Sequence, residues 1–190
     1  GKDAIQSTKG EMERLISIFD HRGTGTQLTK LNQTGILEQP SSELVDLIQR
    51  ALRISALTDG AFDITVKPFV DSLLDGKDSA QSLMPTVGYE KIVVSDDKIS
   101  FTTPNMSVTL DGIAKGRIVD GGVAVLRSLG FENVLVEAGG DMLASSEYST
   151  NKTWKIGVNN PCASGDVEFI ATFSVSNEAV ATSGDYLHHL

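Results

Sequence analysis

Thr58-Asp59-Gly60-Ala61-Phe62-Asp63-Ile64-Thr65-Val66-Lys67-Pro68 is the stretch whose reading decides this chain. Upstream of it, Ser41 or Ser42 follows Pro40 and can accept hydrogen bonds from the free amides of a new helix. The stripe of that helix is Leu44, Ile48, Ala51, Leu52 and Ser55. The quoted segment is expected to carry the helix end through an acidic turn into a strand. Gly60 sits where a bulky side chain would strain the turn or block a ligand, and Pro68 stiffens the exit. Asp63 emerges beside Phe62. Its oxygens suit a nucleotide hydroxyl or a metal, and equally suit capping of nearby amides. Phe62 has the same two readings, a stacking platform or a core ring.

Outward from that turn, residues 9–19 carry Met12, Leu15, Ile16 and Phe19 at helical spacing. The run His21-Arg22-Gly23-Thr24-Gly25-Thr26 then predicts a mobile loop. Residues 71–84 are polar and poorly periodic, which predicts loop with a short helix. Beyond Gly88 the period turns strand-like at 92–94, 99–101 and 107–110, separated by Asp-Asp and Pro-Asn turn signals, as in a small antiparallel meander. Residues 116–129 carry Ile118, Val119, Val123, Leu126 and Leu129, with Gly130 placed to end the helix. Gly121 and Gly122 inside it cost roughly 1 kcal/mol each relative to alanine, so close packing against a neighbour is expected. Residues 133–137, 154–158, 167–175 and 178–182 read as further strands. Helices mixed with mostly antiparallel strands define an α+β protein.

With 190 residues and 40% hydrophobic content, the chain can bury one sizeable core, and a single domain over 1–190 is expected. Sixteen basic against 25 acidic residues give a net charge of −9, which argues against a nucleic-acid partner. The same charge repels a dinucleotide diphosphate, so a divalent cation is the expected intermediary; solubility alone is the competing explanation. Cys162 is the sole cysteine and has no internal disulfide partner. No apolar run is long enough to span a bilayer, and the first residues lack a secretory pattern.

Three further segments could carry chemistry. Thr109-Leu110-Asp111-Gly112-Ile113-Ala114-Lys115-Gly116 brings a strand directly into a helix, whose free amides, with Lys115, favour an anion. It is not a Walker loop, since the spacer and the Lys-Ser/Thr ending are absent. Gly139-Gly140-Asp141 follows a strand, where bare backbone invites close approach by a ligand or by another strand. Ala181-Thr182-Ser183-Gly184-Asp185-Tyr186 ends another strand with two hydroxyls and an acid. His188 and His189 lack the spaced partners of a metal site, and the three histidines offer no evident Ser-His-Asp triad.

In order and spacing, the four segments resemble the ApbE family of FAD:protein FMN transferases, from about residue 12 to residue 186. The resemblance implies an ApbE-like, T-fold-related architecture. It implies an enzyme that uses Mg²⁺ to hold FAD and transfers its FMN half to a threonine or serine hydroxyl of an acceptor flavoprotein, releasing AMP. Hydrolysis of FAD to FMN and AMP, and a non-catalytic flavin-binding module, stay open as alternatives. It implies that Ala61, Phe62 and Asp63 contact FAD and that Lys115 lies beside it. Gly139, Gly140, Asp141, Thr182 and Ser183 complete the cofactor-binding set, and the Gly112 carbonyl faces the metal. An early-loop aromatic packs on the flavin in the family, with Phe19 the candidate here. No catalytic residue is assigned. The family works outside the cytoplasmic membrane, in the periplasm and often on a lipid tether, which gives the expected location.

The departures are as informative. The family's Asp-Leu-Gly-Gly-Ile-Ala-Lys-Gly, aligned on Lys115, puts Thr109 where an FAD-contacting Asp is expected and Asp111 where a Gly is expected. Asp111 is the candidate to substitute for that Asp. The family's first strand, before residue 9, its His-Ile-Asp-Pro stretch and its Asp-x-x-x-Thr motif are missing, so either side-chain metal ligands are expected beyond Leu190 or this member has lost them.

Overall fold

Hydroxyl caps start two of the helices in the first half. The computed structural model describes residues 1–76, 80–147, 152–162 and 169–184. These form two compact units, Glu13–Arg117 and the joined segments Gly1–Met12 and Ile118–Leu190. The boundaries fall inside helices α1 (Lys2–Phe19) and α6 (Ala114–Ser128).

In the Glu13–Arg117 unit, α2 (Gln27–Thr34) begins at Thr26, whose hydroxyl oxygen accepts the Thr29 N–H at 3.0 Å. It ends at Gly35, with φ of 72° and its N–H returned to the Leu31 carbonyl. Strand β1 (Ile36–Glu38) follows, then α3 (Ser42–Leu57). Ser41, the first of the two predicted caps, accepts the Leu44 N–H at 3.4 Å. The buried residues of α3 are Leu44, Val45, Leu47, Ile48, Ala51 and Ser55, which cover one helix face, while Leu52 of the expected stripe is only half-buried. Leu44 and Ile48 are fully buried, each stabilising by about 1.5–3 kcal/mol. Strands β2 (Ile92–Val94) and β3 (Lys98–Phe101) complete an antiparallel sheet in the order β1-β3-β2, with Leu37 opposite Ile99 and both buried.

Four expectations are corrected here. The Thr58–Pro68 turn leads into a 3-10 turn, Ile64–Val66, and then helix α4 (Lys67–Leu74), not a strand. Pro68 lies in the first turn of α4, where its missing N–H costs nothing. Residues 71–84 are more helical than expected, holding the end of α4 and the short α5 (Ala80–Leu83). Residues 107–110 join no ladder: the Val108 N–H and C=O both bond the Asn32 side chain, and the Thr109 N–H bonds the Ile64 carbonyl. Strand β1 takes the place of that third meander strand. The loop at 21–26 is tied down by hydroxyls, with Thr26 Oγ1 donating to the Asp20 carbonyl at 2.6 Å and Thr29 Oγ1 of α2 to the Gly23 carbonyl at 2.7 Å.

In the other unit, β4 (Val134–Ala138), β5 (Asp141–Ser145) and β8 (Glu178–Ala181) form an antiparallel sheet in that order. β6 (Trp154–Asn159) and β7 (Phe169–Val175) pair separately, also antiparallel. The core joins Val119 and Val123 of α6 to Val134 and Val136 of β4, with Met12 packed against them. The close packing expected at the paired glycines is found at Gly122, where an added Cβ would stand 3.1 Å from Met12 Sδ and 3.2 Å from Val136 Cγ1. Every strand pair among the described residues is antiparallel, which with the six helices bears out the α+β reading.

Candidate functional site

The Thr58–Pro68 stretch folds as a helix end followed by a capped turn. At the end of α3, the Gly60 N–H bonds the Ser55 carbonyl at 2.8 Å, which needs left-handed backbone at Asp59 and Gly60, with φ of 51° and 78°. That reversal points Phe62 toward the entry of α6. A Cβ on Gly112 would stand 3.1 Å from Phe62 Cε2, so the ring lies against bare backbone that no larger residue leaves free. Phe62 is half-buried, while Ala61, Gly112 and Lys115 are exposed. Two of the predicted segments are therefore brought together within one unit.

Asp63 is a structural aspartate here. One carboxylate oxygen accepts the Thr65 N–H at 2.8 Å and the Thr65 hydroxyl at 2.7 Å; the other accepts the Tyr89 N–H at 2.9 Å. Of its two readings, the structure shows the cap. Phe19 is corrected more firmly. It closes α1 with 3% exposure, so its ring belongs to the core and offers no face to a flavin.

At the α6 entry, Thr109 Oγ1 accepts the Asp111 N–H at 3.2 Å. The Asp111 carboxylate takes both arms of the Arg22 guanidinium, Nη1 at 3.2 Å and Nη2 at 2.7 Å. Desolvation would raise the Asp111 carboxyl, but the Arg22 hydrogen bonds and the Arg22 and His21 charges outweigh it and hold it below the ordinary carboxylate range. His21 Nδ1 lies 3.7 Å from Asp111 Oδ1, beyond hydrogen-bond reach. Neither His21 nor Arg22 was singled out by the sequence, because the 21–26 run reads as loop and Asp111 lies 89 residues from Arg22.

Burial lowers the His21 pKa below its ordinary 6.5; Arg22 and Lys67 act with the burial, Asp111 and Asp20 against it. The unfolded chain therefore binds the imidazole proton more readily than the folded one. The stability linked to neutral His21 is present above pH 6.5 and declines as the pH falls through 6.5 toward the lower folded value. Urea midpoints at pH 7 and pH 5 check this. His21→Gln is expected to flatten the decline in that window, and an unchanged slope refutes the assignment.

In the other unit, Gly139 and Gly140, with φ of 61° and 89°, make the two-residue turn of the β4–β5 hairpin, Ala138 pairing with Asp141. Of the two partners expected for this bare backbone, the neighbouring strand end is the one seen. Thr182 donates from N to the Gly140 carbonyl at 3.2 Å and from Oγ1 at 3.1 Å, and a Cβ on Gly140 would be 2.5 Å from Thr182 Oγ1. Thr182 also lines a cleft of ≈ 790 Å³ with Phe173, Val175 and Val180. Asp141 opens β5 and Ser183 is exposed just after β8. Asp185, Tyr186, His188 and His189 lie outside the described residues. Among the described residues no three acidic, histidine or cysteine side chains converge on a point that could hold a metal. No described helix is long and apolar enough to cross a membrane.

Residues 2–190 match the model of the ApbE family, and the chain belongs to that family. It is 30% identical over 178 residues to the FAD:protein FMN transferase of Haemophilus influenzae, covering 85% of this chain and 51% of that protein. It is 29% identical over 196 residues to the protein of the same name in Vibrio cholerae, covering 94% of this chain and 58% of that one. The chain thus spans just over half the length of these relatives. Among solved structures, the ApbE protein of Thermotoga maritima superposes with a TM-score of 0.84 at 26% identity, covering 97% of this chain and 63% of that one. Flavin transferase ApbE from Vibrio cholerae superposes with a TM-score of 0.83 at 25% identity, over 98% and 64%.

Proposed function

We propose that this chain belongs to an enzyme that transfers the FMN half of FAD to a threonine or serine hydroxyl of an acceptor flavoprotein. The acceptor oxygen forms a bond to the FMN phosphorus, the bond between the two phosphates breaks, AMP leaves with the bridging oxygen, and the hydroxyl proton passes to a base or to solvent. Family membership and the names of the relatives support the reading. The structural observation that carries it is Phe62 laid against the bare backbone of Gly112, at the amino end of a 15-residue helix. In this reading Phe62 and Ala61 bound the flavin side, and the dipole at the amino end of α6 with the Lys115 charge attracts the diphosphate.

Magnesium dependence is part of the proposal, with a metal neutralising the diphosphate charge. The described residues do not assemble such a site by themselves: no three ligating side chains converge, and Asp111, next to the Gly112 carbonyl, is bonded to Arg22. No step is therefore derived through the metal. Side-chain ligands would come from beyond Leu190. A periplasmic location with a lipid tether completes the proposal.

The test is to incubate the protein with FAD and Mg²⁺, with and without an acceptor flavoprotein, and to follow AMP by chromatography and protein-bound FMN by intact mass. Transfer gives both products only with the acceptor. AMP and free FMN without it identify a hydrolase, and bound but unchanged FAD identifies a binding module. Absence of FAD binding overturns every flavin reading of this chain.

A further inference from the structure

The loop between α1 and α2 presents two side chains that the proposed transfer leaves without a role. The His21 side chain is 8% exposed, and among the described residues its Nδ1 has no hydrogen-bond partner. A buried polar atom left so is destabilising, and a suitable acceptor would recover that cost. Nδ1 is aimed at the Asp111 carboxylate, 3.7 Å away. Arg22 grips the same carboxylate from the loop with two of its five N–H groups, on a side chain that is 68% exposed.

Asp111 itself stands three residues before Ala114, where α6 begins, and the helix dipole there favours an anion although the Asp111, Ile113 and Ala114 N–H groups are bonded to Thr109 Oγ1 and the Leu110 carbonyl. A guanidinium fork and an unpartnered imidazole nitrogen thus converge on one exposed carboxylate, close to a helix amino end. Carboxylate and phosphate oxygens fit the guanidinium fork with the same geometry. Both members of the Arg22–Asp111 pair are more than half exposed, and such solvent-screened pairs contribute little to stability. A group carrying more negative charge can therefore replace the carboxylate at little cost. The other charges around His21 and Arg22 are Asp20, Lys67 and Asp71, and Lys67 is closed onto Asp71 at 2.6 Å.

We infer that His21, Arg22 and the amino end of α6 form a phosphate subsite in which the Asp111 carboxylate is an intramolecular stand-in that a nucleotide phosphate displaces. The identity of that nucleotide as FAD rests on the proposed function; the subsite itself requires only a phosphate. Arg22 supplies the fork, His21 in its Nδ1–H form donates one further hydrogen bond, and Asp111 swings out into solvent.

Calorimetric titration with inorganic pyrophosphate, without metal and without FAD, tests this. Asp111→Asn keeps the side-chain shape, weakens the stand-in, and is expected to tighten pyrophosphate by about tenfold. Arg22→Lys and Arg22→Ala are expected to weaken it by about tenfold or more, since lysine cannot reproduce the fork. Asp20→Asn removes the same charge beside the same loop and is expected to change affinity by less than about threefold. Equal gains from Asp111→Asn and Asp20→Asn would reduce the effect to general charge and overturn the subsite. Should Asp111→Asn fail to fold, the side-chain NMR signals of Arg22 in the unmodified protein must move on pyrophosphate addition, and static signals overturn the proposal. Riboflavin, which carries no phosphate, is the last arm: if Arg22→Ala weakens riboflavin as much as pyrophosphate, Arg22 faces the ring and the phosphate assignment falls. Failure of FMN transfer with pyrophosphate binding intact counts against the proposed function alone.

Discussion

Replacing Asp63 with alanine is expected to destabilise the Glu13–Arg117 unit by about 3 kcal/mol, a lowering of its melting temperature on the order of 10 °C. The magnitude follows from what the carboxylate holds. Loss of an amino-terminal cap costs about 1 kcal/mol, and hydrogen bonds to a charged group contribute about 1.5–3 kcal/mol. Asp63 makes three such bonds, two to the fully buried Thr65 and one to the Tyr89 N–H. Thr65 in turn accepts the Gly88 N–H at 2.8 Å, so the aspartate ties the turn after α3 to the segment that leads into β2. Asp63→Asn should recover part of the loss. Its amide oxygen can still accept from Thr65, but its NH₂ then faces the Tyr89 N–H, donor against donor. Thermal unfolding of both variants checks the order wild type, Asn, Ala. If the alanine variant melts like wild type while FAD affinity collapses, the carboxylate serves the ligand and not the turn.

What could be read in advance follows the range over which each signal acts. The α3 stripe, its Ser41 cap and the Gly130 stop were legible because cap, stripe and stop each act within a turn or two of helix. Helix α4 was hidden by Pro68, which reads as a breaker after an acidic turn yet fits the first turn of a helix equally well. Gly139-Gly140 carried a stronger signal than the one drawn from it: paired glycines after a strand suit a two-residue hairpin turn, which would have placed β5. The order of the glycine and aspartate turns disclosed the family. It did not disclose that Phe19 would be consumed by the core, or that Arg22 would reach Asp111. Both depend on three-dimensional neighbours that no local period encodes.

Residues 107–110 show the same limit most sharply, and they set up the second large effect. Asn32→Ala is expected to destabilise the Glu13–Arg117 unit by about 2–4 kcal/mol. The Asn32 amide reads the Val108 peptide from both sides: Oδ1 accepts its N–H at 2.8 Å and Nδ2 donates to its C=O at 2.9 Å. An alternating sequence that would ordinarily seek a strand partner finds a side chain instead. Val108 is fully buried, so its peptide groups have little access to replacement water, and each orphaned group costs about 1–3 kcal/mol. Alanine is the better helix former at the end of α2, but that returns only about 0.5 kcal/mol. Asn32→Asp discriminates between lost contact and lost shape. The carboxylate keeps the size and can accept the Val108 N–H, but it sets an anion against the Val108 carbonyl. Urea unfolding should therefore rank wild type above both variants at unchanged m-value. If Asn32→Asp matches wild type, the donated bond contributes nothing and the peptide clamp is not what holds residues 107–110 ahead of α6.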